Sequence, residues 1–169
     1  VYSVREGKRV YQCLLEKESV EAAIAVRKRE NMVLEVVIDG VPYAEEAYVK
    51  DPMQYLATEY GAKYIKATRK PVKDICRFAQ KHAEELDSIS FVCRYEDKER
   101  LYTSLDKEIP NVYVTSSVPN LMEVGHIDAG KGKTLLWLLK KLEISTEEAM
   151  AFGDADNDIS TVSYTHLRA

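Results

Sequence analysis

Ala149-Met150-Ala151-Phe152-Gly153-Asp154-Ala155-Asp156-Asn157-Asp158 is the stretch that decides how this chain is read. Ala149 to Phe152 is a short apolar run, the pattern of a buried strand, and Gly153 ends it. Several carboxylates crowded at the mouth of a buried strand repel one another. They make sense around a divalent cation, because hard ions such as Mg²⁺ take oxygen ligands. The pattern points to metal-assisted chemistry on phosphate.

Two other readings of the acidic cluster compete. Asp154, Asp156 and Asp158 occupy the first three ligand positions of an EF-hand, but that loop needs Gly at its sixth position and Glu at its twelfth. Ile159 and Thr165 stand there. A bland acidic surface turn is the other alternative. A metal site at the carboxyl end of a parallel strand fits best, since open α/β sheets place ligands there.

Outward from the cluster, Leu135, Leu138, Leu139 and Leu142 stripe one helical face, and Ser145-Thr146-Glu147-Glu148 has the form of a capping box. Before that helix lies Gly130-Lys131-Gly132-Lys133-Thr134. A phosphate-binding P-loop would need Gly at position 127, where Ile127 stands, or Ser or Thr where Gly132 stands in the other register. Both registers miss. Strands are expected at Ile89 to Cys93, Val112 to Thr115 and Leu121 to Val124. The last fifty or so residues then read as a parallel strand–helix–strand unit.

Towards the N-terminus, Val1 to Val4 and Val10 to Leu15 read as a hairpin around Arg5 to Arg9. Val20, Ala23, Ile24 and Arg27 mark a helix. Met32 to Ile38 is a strand, Asp39-Gly40 a tight hairpin turn, and Val41 to Val49 the return. Asp51-Pro52 starts a helix, and Gly61 to Lys70 reads as a less regular link. Val72, Ile75, Cys76, Ala79, Ala83 and Leu86 share a helical face, and Glu96 to Leu105 is a charged, exposed helix. The order indicates an α/β or α+β protein.

Composition narrows the partners. A net charge of −4 lacks the basic surplus of a nucleic-acid binder. No apolar run reaches the ~18 residues of a membrane span. Cys13, Cys76 and Cys93 are odd in number, far apart and without metal-ligand spacing, as expected of buried thiols in a cytosolic protein. The chain begins at Val1 inside a strand pattern, so an N-terminal truncation is expected. Residues 163–169 break the preceding pattern and are expected to be a non-native tail; His166 is therefore not read as a catalytic base. His126 is read as a loop histidine.

Taken together, Gly130-Lys131-Gly132 and Gly153-Asp154-Ala155-Asp156-Asn157-Asp158-Ile159 resemble the third and fourth motifs of the haloacid dehalogenase (HAD) superfamily, in its Cof-type (subclass IIB) branch. The resemblance implies an α/β fold, with part of a Rossmann-like core and a large inserted α+β cap. It places residues 1–4 in the core, 5–116 in the cap and 117–162 in the C-terminal part of the core. It implies a Mg²⁺-dependent phosphatase acting on small phosphorylated metabolites through an aspartyl-phosphate intermediate. Lys131 would hold the phosphate and nucleophile, and Asp154 would bind Mg²⁺. Asp158 would support the metal or Lys131, Asn157 would contact the phosphate or cap, and Asp156 would be a bystander. The family's D-x-D-G-T nucleophile motif is absent; Asp39-Gly40 is a decoy, with Val37 where the first aspartate should be. The chain is thus expected to be inactive by itself. A non-catalytic small-molecule-binding protein of the same fold and, through Lys133, a P-loop nucleotide hydrolase are the alternatives.

Overall fold

The computed structural model describes residues 1–163. The expectation for the tail, His166 included, falls on residues that lie, all but Ser163, outside those described. In chain order the elements are β1 (Tyr2–Ser3), β2 (Lys8–Arg9), α1 (Lys17–Glu30), β3 (Val33–Ile38) and β4 (Val41–Glu45). Then come α2 (Glu46–Lys50), α3 (Glu59–Thr68), β5 (Lys70–Val72), α4 (Ile75–Lys81), β6 (Leu86–Val92) and α5 (Lys98–Glu108). β7 (Val112–Thr115), β8 (Leu121–His126), α6 (Lys131–Leu142) and α7 (Ile159–Val162) complete them.

Six strands form one sheet in the order β5-β4-β3-β6-β8-β7, with only β4 and β5 parallel. Period-two alternation sends Leu34, Val36, Ile89, Phe91, Met122 and Val124 to one face, all fully buried. There they meet α1 through Val20, Ala23 and Ile24, α4 through Ile75 and Ala79, and α5 through Leu101 and Leu105. A smaller cluster of Ala44, Tyr48, Ile65 and Val92 covers part of the other face under α2 and α3. Beside it Glu35 is buried, and Arg69 satisfies its carboxylate with three hydrogen bonds of 2.9–3.1 Å. Burial, then the Glu35 charge, pushes the Tyr48 phenol up.

The hairpin turn forms as read. Asp39 and Gly40 both have positive φ (50° and 74°), the backbone a two-residue turn needs to match strand twist. The register of β3 and β6 shifts there, leaving Asp87 as an extra residue. Its carboxylate accepts from Gly40 N (2.9 Å) and from Arg9 (2.6 Å), while Arg9 also reaches Asp39. The turn is thereby tied to the N-terminal hairpin.

Several expectations change. Leu121–His126 is not half of a parallel unit: β8 pairs antiparallel with both β6 and β7. Its sequence alternates apolar and polar, as a strand with one covered face does, where a parallel strand would be apolar throughout. Met150 to Phe152 forms no strand, and Met150 and Phe152 are 61% and 85% exposed. Of the leucine stripe only Leu139 is buried. The hairpin's second arm is Lys8–Arg9 alone; Val10 to Leu15 forms no strand, though Val10 N and Tyr11 N donate to Val1 O (2.9 and 3.3 Å) and Leu15 N donates to Leu86 O (2.9 Å). The return strand ends at Glu45, where α2 begins. Residues 59–68 are helical, because Thr58 caps them by accepting from Gly61 N (3.1 Å) and Ala62 and Ile65 find burial. α5 is amphipathic, not simply exposed, and Leu86 lies in β6, not on the helix before it. Cys76 and Cys93 are buried free thiols as expected, whereas Cys13 is half-buried.

Candidate active site

The chain leaves β8 by a short turn, in which Ala129 N donates to His126 O (2.8 Å), and Gly130 caps α6 by accepting from Thr134 N (3.0 Å). Lys131 is then the first helical residue. A cation at a helix N-terminus opposes the helix dipole, so it calls for a nearby anion. Asp158 provides it: Lys131 Nζ donates to Asp158 Oδ1 at 2.6 Å. The second oxygen accepts from Asp154 N at 3.3 Å, and Asp158 N closes the turn onto Ala155 O at 2.9 Å. The hydrogen bond from Lys131, helped by the backbone amides and opposed by desolvation, holds the Asp158 carboxyl below the usual carboxylate range. A carboxyl lowered by folding keeps its charge to lower pH, and the contact is lost only as pH falls through that lowered value.

Gly153 is a packing requirement of this contact. A Cβ there would collide with the Cβ of Asp158. Gly153→Ala should therefore push Asp158 off Lys131 and return its carboxyl to the ordinary range. A ¹³C NMR titration of the Asp158 carboxyl checks this; an unchanged midpoint would refute it. The sequence motif contains this glycine, but its reason becomes visible only in the turn that folds Asp158 back over it. Ser160 is a residue that sequence reasoning missed: its Oγ accepts from Gly132 N (3.3 Å), joining α7 to the start of α6.

Of the two carboxylates expected at a metal, Asp158 is turned to Lys131, while Asp154 is exposed and makes no ion pair among the described residues. Asn157 is half-buried, and its Oδ1 has no hydrogen-bond partner among those residues. The side chain of Asp156 lies outside the description. Lys133 pairs with Asp128 at 2.8 Å, which holds that carboxyl low. His126 Nδ1 accepts from Asp128 N at 3.1 Å, so its ring serves the turn.

The test for a metal is the donor set. Mg²⁺ keeps several waters and commonly takes one or two protein carboxylates with substrate phosphate. Asp154, a hard oxygen donor open to solvent, fits that role. Among the described residues no three His, Cys, Asp or Glu side chains stand together as a fuller cage. Chemically, the site offers an ammonium and a helix N-terminus for an anion, beside a carboxylate for a cation.

A family model described as haloacid dehalogenase-like hydrolase matches residues 1–168. The chain belongs to that family. Over 80 residues it is 29% identical to YxeH of Bacillus subtilis (strain 168), which is named as a proposed phosphatase; the match covers 47% of this chain and 30% of that protein. Solved structures resemble it over nearly its whole length. The HAD subclass IIB sugar phosphatase BT4131 superposes with a TM-score of 0.70 at 17% identity, covering 95% of this chain and 56% of that one. A haloacid dehalogenase-like hydrolase from B. subtilis gives 0.75 at 18%, covering 95% and 62%. TM0651 from Thermotoga maritima gives 0.68 at 23%, covering 99% and 60%. At such identities the likeness speaks for the fold, which is the expected HAD-like α/β arrangement with a large α+β cap. The chain spans about three fifths or less of the length of these relatives.

Proposed function

We propose that the chain is the cap and the C-terminal core portion of a Mg²⁺-dependent phosphatase of small phosphorylated metabolites, sugar phosphates above all, working through an aspartyl-phosphate. The observation that carries this is the Lys131–Asp158 contact at 2.6 Å beside the open carboxylate of Asp154. Lys131 is held by an anion yet half exposed, and so remains available to a phosphoryl oxygen. Asp158 orients it. Asp154 would hold Mg²⁺, which when bound supplies charge neutralisation at the phosphoryl group. Asn157, whose Oδ1 has no partner among the described residues, is a candidate polar contact for the phosphate or the cap.

The sheet pairing of β8 favours a cap that runs on to His126, beyond residue 116. Residues 1–4 and about 127–162 would then be core. The apolar side chains exposed at Val4, Leu142, Met150 and Phe152 give that portion a surface suited to burial in a fuller parallel sheet. The chain has no D-x-D-G-T sequence, so hydrolysis is expected only in a protein that supplies one. We place that protein in the bacterial cytosol, with no nucleic-acid or membrane partner. Among the described residues no helix is long and apolar enough to cross a membrane. The nucleotide-hydrolase alternative lacks the P-loop spacing, since Ile127 stands where its first glycine would be.

The test is hydrolysis of p-nitrophenyl phosphate by the whole-length protein. We expect turnover with Mg²⁺, its loss on chelation with EDTA, and its loss in Asp154→Ala. Full activity after either treatment would sink the reading, and a wild type without turnover would favour the non-catalytic binder.

A further inference from the structure

α6 begins without a cap of its own. The first N–H groups of a helix have no partner inside it, and a serine, threonine, aspartate or asparagine at the N-cap usually supplies the missing oxygen. Gly130 holds that position and has no side chain to offer. Gly132 N is one of the orphaned donors, and among the described residues its acceptor is Ser160 Oγ at 3.3 Å, 28 residues away in sequence. Ser160 therefore does from outside what an N-cap side chain does from within.

This bond lies beside another. Lys131 and Gly132 are adjacent in α6, and Asp158 and Ser160, one residue apart from being adjacent themselves, meet them through bonds of 2.6 and 3.3 Å. The two ties differ in stiffness. The Lys131 ammonium ends a long flexible stem and is half exposed, and an ion pair of that kind fixes its partner weakly. The positive end of the helix dipole also repels it. Gly132 N, by contrast, belongs to the backbone of α6, and Ser160 Oγ is carried on a single carbon from the backbone of α7. Their contact sets where α7 stands against α6. Asp158 immediately precedes α7 and does not cap it; its carboxylate is committed to Lys131 and Asp154 N instead. The placement of α7 thus decides the placement of that carboxylate and, through it, of the ammonium.

We propose that Ser160 is a positioning residue: by capping α6 from outside it fixes α7 against the helix start, and so holds Asp158 and the Lys131 ammonium in reach of a phosphoryl oxygen. This rests on the phosphatase reading above. In this role Ser160 touches no substrate and moves no proton. Loss of its hydroxyl leaves Gly132 N without a partner and the ammonium free to swing.

In the 169-residue chain, amide hydrogen exchange followed by ¹⁵N NMR reads the bond itself. The protection of Gly132 N depends on Ser160, so Ser160→Ala should abolish it and Ser160→Thr, which keeps the hydroxyl, should retain it. Equal protection in the alanine variant would overturn the proposal. In the whole-length protein, Ser160→Ala should lower kcat for p-nitrophenyl phosphate roughly threefold to thirtyfold, the factor equivalent to one lost helix cap, with KM within about twofold of wild type. Ser160→Thr should restore most of the rate. The discriminating background is Lys131→Ala. There Ser160→Ala should lower kcat no further, because a residue that acts through Lys131 has nothing left to position. Losses that multiply would mean a role in general stability only and would overturn the proposal. A wild type that turns over no ester would defeat the phosphatase reading and this inference with it, whereas wild-type turnover that Ser160→Ala leaves intact would defeat this inference alone.

Discussion

Lys131→Ala in the whole-length protein is expected to lower kcat for p-nitrophenyl phosphate by about 10²–10³, the usual effect of removing one group aimed at charge in a transition state. The loss should fall on kcat as well as kcat/KM. The ammonium meets a phosphoryl group whose charge is redistributed during transfer, so the interaction is not the same in ground and transition states. The fold should be little affected. The lysine side chain is 53% exposed, and a pair of that kind contributes little to stability. Unchanged circular dichroism beside the lost rate would separate chemistry from folding. Lys131→Arg should recover part of the activity at most, because a planar guanidinium cannot place a compact charge where the ammonium sat against Asp158. Steady-state kinetics of the three proteins measures this, and an alanine variant within tenfold of wild type would remove Lys131 from the chemistry.

The pairing behind that expectation was legible in the sequence, since a glycine-flanked lysine at a helix start and an aspartate after the next apolar run form a recognisable combination. The hairpin at Asp39-Gly40 was equally legible, because few dipeptides so readily give positive φ at both positions. So was the box at Ser145 and Glu148, which closes with Ser145 N donating to Glu148 Oε2 at 3.0 Å. What the sequence concealed depends on register and on partners. Leu121 to Val124 reads as a strand in the sequence, but its neighbours, β6 and β7, are set by pairing. Met150 to Phe152 has the residues of a strand and no ladder to join. α3 was hidden because Gly61, a poor helix former, sits in its first turn, where it serves the Thr58 cap.

The same dependence on partners governs the largest stability effect expected of this chain. Phe91 has no exposed surface and stands in β6 between Leu34 of β3 and Met122 of β8. Phe91→Ala removes a ring from the middle of the core, where strands on both sides limit collapse into the space. The expected cost is about 3–5 kcal/mol. For a domain whose whole stability is of order 5–15 kcal/mol, that is a large share. Phe152 is the same residue type at 85% exposure, and Phe152→Ala in the 169-residue chain should stay within about 0.5 kcal/mol. Urea unfolding of the chain and its two variants measures both, with the midpoint shifting and the slope constant if the denatured state is unaltered. A small loss for Phe91→Ala would mean that the sheet's covered face is not the core. In the whole-length protein the comparison has a second use. If Met150 to Phe152 gains neighbours there, Phe152→Ala becomes costly as well, and the difference between the two backgrounds reports the burial that this stretch acquires.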